Sequence, residues 1–313
     1  MIFEASTLRN LIRSFSVFIS LFTLGCTESR DTTLVKDIAQ NETTSVQKNL
    51  NKEAYFGDTH VHTVLSLDAF LFGTRRTPDD AYKFAKGELI EHARGFAMQL
   101  DQPLDFLAVT DHAFFLGMMR ELSESKGKYA NHPLSESVRG ATTTTGSSEG
   151  FQAVVDYLGA GNGPEINDRD VVRSSWREII EAAERHNDPG QFTTFIAYEY
   201  TSAGPQAENL HRNVTFKGNQ APKEPFSRLS SANPEKLWEW MDAQRLLGMD
   251  SIAIPHNSNG SNGWMFRTEK FEGGPIDEDY AAQRMRNEPI VENSQVKGTS
   301  DTHPLLSPND EWA

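Results

Sequence analysis

The stretch Gly57-Asp58-Thr59-His60-Val61-His62-Thr63 decides how the rest of the chain is read, because side chains two residues apart on a strand point to the same face. His60 and His62 can therefore reach one metal ion. Glu53-Ala54-Tyr55-Phe56-Gly57 reads as a short strand before them, which places the pair at or just beyond a strand's C-terminal end, where barrel enzymes keep their chemistry. A lone His-x-His is weak, since two histidines at this spacing are more often surface or hydrogen-bonded residues. Support has to come from elsewhere in the chain.

It comes as repetition. Residues 104–110 are mostly apolar and end in Asp111-His112, residues 193–198 end in Glu199, and residues 250–254 run into Pro255-His256. Four apolar runs, each closing on a histidine or carboxylate, are what a parallel barrel needs to bring ligands from distant sequence to one mouth. Taken singly, each residue reads as a strand-end cap; taken together, that reading requires four coincidences.

The chain has 313 residues, 37% hydrophobic and 24% charged, which is enough for one large domain or two small ones. Its 30 Lys and Arg against 44 Asp and Glu give a formal net charge of -14. A surface this acidic repels phosphate backbones and anionic headgroups, which argues against nucleic acid as the partner.

Arg9 and Arg13 precede an apolar stretch, residues 15–24, that ends in Gly25-Cys26, and this has the shape of a secretory signal. It resembles the lipobox of bacterial lipoproteins, with Thr23 where that pattern has an aliphatic residue and Glu4 diluting the basic start. The expectation is a signal over residues 1–26 with lipidation at Cys26, and an exported, membrane-anchored protein facing the periplasm; a signal cleaved elsewhere or an N-terminal anchor is the other reading. The single cysteine excludes an internal disulfide. Residues 27–50, rich in Thr, Asn, Gln and charges, read as a flexible tether to a domain spanning 51–313.

Within that domain strand-like runs alternate with helix signals. Thr77-Pro78-Asp79-Asp80 offers an N-cap, a proline at the first helical position and acids in the first turn. Ser175 with Glu178 suggests a capping box, and Asn233-Pro234-Glu235 opens a helix that Gly248 stops. Helical spacing favours Trp240 as core and Trp238 as half-buried. Residues 139–150, with four consecutive threonines, read as a loop or insertion over the barrel mouth.

Residues 57–63, continuing to Ser66-Leu67-Asp68, look like the first motif of the PHP (polymerase and histidinol phosphatase) superfamily, and Thr110-Asp111-His112 looks like its second. Closer still, Phe72-Gly73-Thr74-Arg75, Thr77-Pro78-Asp79-Asp80-Ala81 and Pro103-Leu104-Asp105-Phe106 are similar to a bacterial family catalogued as a domain of unknown function, number 3604. Asn209-Leu210-His211-Arg212 and Lys297-Gly298-Thr299-Ser300-Asp301-Thr302-His303 fit it too. The resemblance implies a distorted (β/α)7 TIM-like barrel holding two or three divalent transition-metal ions, zinc, manganese or iron.

Residue by residue, it implies metal ligation by His60, His62, Asp68, His112, Glu199, His211 and His256, with Glu199 bridging two metals. Imidazole with carboxylate suits those metals, whereas calcium takes oxygen alone. Asp301 and His303 match a late Asp-x-His motif, although this family carries a similar segment mid-chain. Ser307-Pro308-Asn309-Asp310-Glu311 reads as a helix start with only two residues after it, so the expectation is a fragment, with the barrel incomplete at its C-terminus. Six of the nine histidines fall in these motifs; His92, His132 and His186 read as surface residues.

The implied activity is hydrolysis of a phosphate or other ester in a small molecule, one metal polarising the oxygen while a metal-bound hydroxide attacks. Glu199 is its central residue, with Asp111 orienting its neighbours. Arg75, Arg76 and Arg212 are candidates for holding an anionic group, each with a surface salt bridge as its other reading. The alternative is a non-catalytic metal- or ligand-binding lipoprotein on the same scaffold. A nuclease is disfavoured by the charge and the export signal.

Overall fold

A computed structural model describes residues 52–300. Cys26 with its leader, the expected tether, Asp301 and His303 lie outside the described residues. In chain order the elements are β1 (Gly57–Val61), α1 (Leu67–Leu71), α2 (Pro78–Ala85), β2 (Ile90–Glu91), β3 (Ala97–Met98), β4 (Phe106–Val109), α3 (Met118–Ser123), α4 (Ser135–Gly140), α5 (Thr144–Gly159) and α6 (Arg169–His186). They continue with β5 (Thr193–Tyr200), β6 (Arg212–Phe216), α7 (Pro234–Leu246), β7 (Ser251–Pro255), α8 (Glu278–Asn287), β8 (Ser294–Gln295) and β9 (Gly298–Thr299).

The local chemistry accounts for most helix ends. Thr77 caps α2 through a reciprocal capping box, its hydroxyl accepting from the Asp80 N–H at 3.2 Å while the Asp80 carboxylate accepts from the Thr77 N–H at 2.9 Å. Asn233 caps α7 by accepting from the Glu235 N–H at 2.8 Å. Two expectations fail here. Ser175 caps nothing: α6 starts earlier, where the Asp168 carboxylate accepts from the Asp170 and Val171 N–H groups, and Ser175 is buried in its interior. Residues 139–150 are not a loop, because the Thr143 hydroxyl accepts from the Gly146 N–H and starts α5.

The expected barrel is also overturned. Among the described residues five of the nine strands form an open mixed sheet in the order β1-β4-β5-β6-β7, and β2-β3 and β8-β9 form two separate two-stranded sheets. β1, β4 and β5 are mutually parallel, while β5 with β6 and β6 with β7 are antiparallel. The reason lies in the connections. A parallel pair needs a crossover of a dozen or more residues, usually with a helix, and the segment from Thr201 to His211 carries none, so β6 returns antiparallel. α7, which would serve as a crossover helix in a barrel, joins the antiparallel pair β6 and β7 instead.

Successive residues of a strand point to opposite faces, and on β5 this separates two environments. Ile196, Tyr198 and Tyr200 share one face and belong to the apolar core. Trp176 meets Tyr198 edge-on at 5.6 Å, and Ile179, Ala182 and Ala183 continue the buried stripe of α6 at helical spacing. From α7 the core takes Leu237, Trp238 and Met241. Trp238 is the fully buried tryptophan there and Trp240 the half-buried one, the reverse of the expectation, because the Trp238 indole N–H finds a buried acceptor in Glu288 at 2.8 Å. No helix among the described residues is long and apolar enough to cross a membrane.

Ser175 explains one glycine. Gly117, ahead of α3, has φ +76°, and a Cβ there would come within 2.0 Å of the Ser175 hydroxyl oxygen and 2.9 Å of its Cβ. Left-handed backbone and overpacking then add, so Gly117→Ala is expected to lower stability by about 2–4 kcal/mol. The measurement is urea denaturation; an unchanged midpoint would show that α3 and α6 do not meet as described.

Candidate metal centre

Sheet register builds the site. Glu199 lies opposite Asn213 of β6 and bridges to His112 just beyond β4, so these side chains share the face of β5 that points away from the core. Two residues further along the same face come His211, before β6, and His256, after β7, joined by the His256 N–H donating to the His211 carbonyl at 3.3 Å. β1 brings His60 and His62 alongside. β1, β4, β5 and β7 deliver their cluster residues at or near their C-terminal ends, and β6, running the other way, delivers His211 from its N-terminal side.

Glu199 stands at the centre, fully buried, with its two oxygens facing different histidines. Its Oε2 lies 2.8 Å from His62 Nε2 and 3.3 Å from His60 Nε2. Its Oε1 lies 2.6 Å from His211 Nδ1, 3.1 Å from His112 Nδ1 and 3.4 Å from His256 Nε2. The Asp68 carboxylate faces His62 Nδ1 at 3.1 Å and His112 Nε2 at 3.4 Å. These residues and Glu292 form four overlapping groups whose ligand atoms lie within 4.8 Å of one another: His60 with His62 and Glu199, His112 with Glu199 and His211, His62 with Asp68 and His112, and His60 with His256 and Glu292.

Burial opposes charge on every member, and the carboxylates decide where it settles. Burial alone would favour neutral imidazole at His62, but Asp68 and Glu199 outweigh it and raise its pKa to about 9; at His112 the same contest, against Glu199 and Asp68, ends at about 10. His211, where burial wins, falls to about 4, and His256 is lowered for the same reason. Burial pushes the Glu199 and Asp68 carboxyls up, yet the surrounding imidazoles hold both below the usual carboxylate range. The cluster is thus a set of anions and imidazoles mutually dependent for charge.

Residues 49–313 match the family described as Protein of unknown function (DUF3604). The chain belongs to this family. No curated protein and no solved structure matches it.

In this DUF3604 chain, seven of the ligands expected from the sequence meet: His60, His62, Asp68, His112, Glu199, His211 and His256. Asp111 is not in any of the groups. It is buried beside them and accepts from the Thr63 N–H and hydroxyl, fixing the backbone that follows His62; burial raises its pKa to about 6 despite those bonds.

Two of the three candidate arginines are engaged by the scaffold. Arg75 donates to the carbonyls of Phe70, Thr74 and Ala141, and its guanidinium lies 3.8 Å from the centre of the Phe70 ring. Arg212 is buried and pairs with Glu288 at 2.6 Å. Neither these two nor Arg76 lines the cavity over the cluster. His92, His132 and His186 are half-buried outside the cluster, His186 pairing with Asp79 at 2.9 Å.

Glu292 is the member that sequence reasoning missed. Its Oε2 lies 3.0 Å from His60 Nδ1, on the opposite side of that ring from Glu199. The signal was Ile290-Val291-Glu292, a β-branched run ending on a carboxylate like the run that ends on Glu199.

Proposed function

We propose that this cluster binds two or more divalent transition-metal ions and hydrolyses a phosphate or related ester of a small molecule. The observation that carries the reading is Glu199, a buried carboxylate that turns one oxygen to His60 and His62 and the other to His112, His211 and His256. Both ring nitrogens of His256 are buried without a hydrogen-bond partner, and His211 Nδ1 approaches Glu199 at 2.6 Å without the alignment of a hydrogen bond. Unpaired buried nitrogens cost about 1–3 kcal/mol each, a cost that cation ligation would remove. Five imidazoles with the carboxylates of Asp68 and Glu199 suit zinc, manganese or iron and not calcium.

The donor set fits such ions, and the chain's own residues have distinct parts in it. His60 and His62 would hold one ion with Glu199, and His112 and His211 another, leaving Glu199 to fix the spacing between them. Asp68 joins His62 and His112. Glu292 and Asp111 orient what they touch: Glu292 sets the ring of His60, and Asp111 holds the turn after His62. Bound there, the ions would polarise an ester oxygen and lower the pKa of a water molecule toward neutrality. The PHP resemblance of the His60, Asp68 and His112 motifs supports the same chemistry.

Elemental analysis of the purified protein tests the first half, with at least two equivalents of transition metal expected per chain. Less than one equivalent after loading would sink the metal centre. A screen of phosphate, phosphonate, sulfate and carboxylate esters tests the second half; metal without turnover of any ester would favour a non-catalytic metal-binding protein.

A further inference from the structure

The cavity over the cluster, about 540 Å³, falls in the ~300–1,000 Å³ range of small-molecule sites. His60, His62, Asp68 and Glu292 line it together with the tip of the β8–β9 hairpin, Val296 and Lys297. The hairpin is tied down at its base. The Glu292 N–H donates to the Pro255 carbonyl at 3.0 Å and the Ser300 N–H to the Asn293 carbonyl at 2.8 Å, while the Ser258 hydroxyl donates to the Ser300 carbonyl at 2.6 Å. Those bonds anchor it to the segment that carries His256, so its tip is held over the cavity from a fixed base.

Among the described residues, Lys297 is the only cationic side chain lining this cavity, and it makes no ion pair or hydrogen bond with any of them. That is unusual beside three carboxylates. Each of them is already engaged: Asp58 accepts from the His60 N–H at 2.8 Å, Asp68 from the Ser66 hydroxyl at 2.7 Å while it faces two histidines, and Glu292 from the Gln295 amide at 2.5 Å while it faces His60. None of the described carboxylates takes the ammonium, which is open to an anion from solution. On a chain of net charge -14, a fixed cation at the mouth of a cavity also decides locally which ligands can approach.

We propose that Lys297 is the anion-holding residue of this site. It grips an oxyanion group of the substrate from the hairpin tip, so that the cavity accepts small anionic esters in preference to neutral ones, with Val296 beside it as an apolar contact. The proposal rests on the reading of the cluster as a metal-dependent hydrolase centre.

The test is calorimetric titration of metal-loaded protein with inorganic phosphate, and with acetate to separate a tetrahedral anion from a carboxylate. Lys297→Gln should weaken phosphate binding at least about tenfold, the scale of one charge-assisted hydrogen bond, while Lys297→Arg stays within about threefold of wild type. Metal content should be equal in all three, because Lys297 is not a ligand. Equal phosphate affinity in wild type and Lys297→Gln, or no phosphate binding by wild type that does hold metal, would overturn the proposal and leave the metal centre standing. Lys297-dependent phosphate binding by protein that takes up no metal would do the reverse. Neither metal nor phosphate bound would sink both.

Discussion

Glu199→Gln is expected to fold, to hold no more than one metal ion per chain, and to lose at least about a hundredfold in the rate of any ester hydrolysis that the wild type performs. The argument is geometric. Glu199 turns one oxygen toward His60 and His62 and the other toward His112, His211 and His256, and an amide offers only one oxygen and turns an NH₂ toward the other set. The histidines remain and can still hold a single ion. His92→Ala, on a side chain outside every group of the cluster, is the control and should match wild type in metal and rate. Elemental analysis and steady-state rates read the two effects separately. Full activity in Glu199→Gln would refute the two-ion reading, whatever the metal content.

The second large effect is on stability. Arg212→Met should lower the free energy of unfolding by ~3–5 kcal/mol, because removing one partner of a buried pair strands the other. Arg212 and Glu288 have side chains only 2% exposed, and Glu288 also accepts from Trp238 at 2.8 Å and from Arg284 at 3.1 Å, so the carboxylate is built into the core between β6, α7 and α8. Metal content of the folded fraction should be unchanged. This result also separates two roles for Arg212. Wild-type stability together with lost phosphate binding would return Arg212 to the site as an anion-holding residue and remove it from the scaffold.

The residues of the cluster were legible in the sequence for a local reason. Each of His60, His62, His112, Glu199 and His256 sits in or just after an apolar run, and that pattern survives without knowledge of the partner strands. The strand directions were not legible in the same way. Apolar runs separated by helices read as parallel units, and only the absence of a helix between β5 and β6 marks the reversal. His60 also lies within β1 rather than after it, since the strand begins where the sequence suggested it would end.

Arg212 illustrates a different limit. A basic residue next to a ligand motif looks the same whether it faces a substrate or the core, and what settles it is Glu288, far along the chain. Glu292 was hidden because Ile290 and Val291 before it are about half exposed and its backbone forms no regular strand, although its N–H bonds the end of β7.

An open sheet has two rims, and rims invite pairing with other chains, which is how edge strands nucleate aggregates. Here the two rims are β1 and β7, and they approach each other at the cluster, where the His60 and His256 rings lie 4.2 Å apart. The groups that another strand would seek there are already taken: the His60 N–H by Asp58, the Thr59 carbonyl by the Asn213 amide at 3.0 Å, and the Pro255 carbonyl by Glu292. The ends of the sheet that carry the cluster are thus protected against intermolecular strand addition by the same side chains and backbone that shape it, without the sheet having to close.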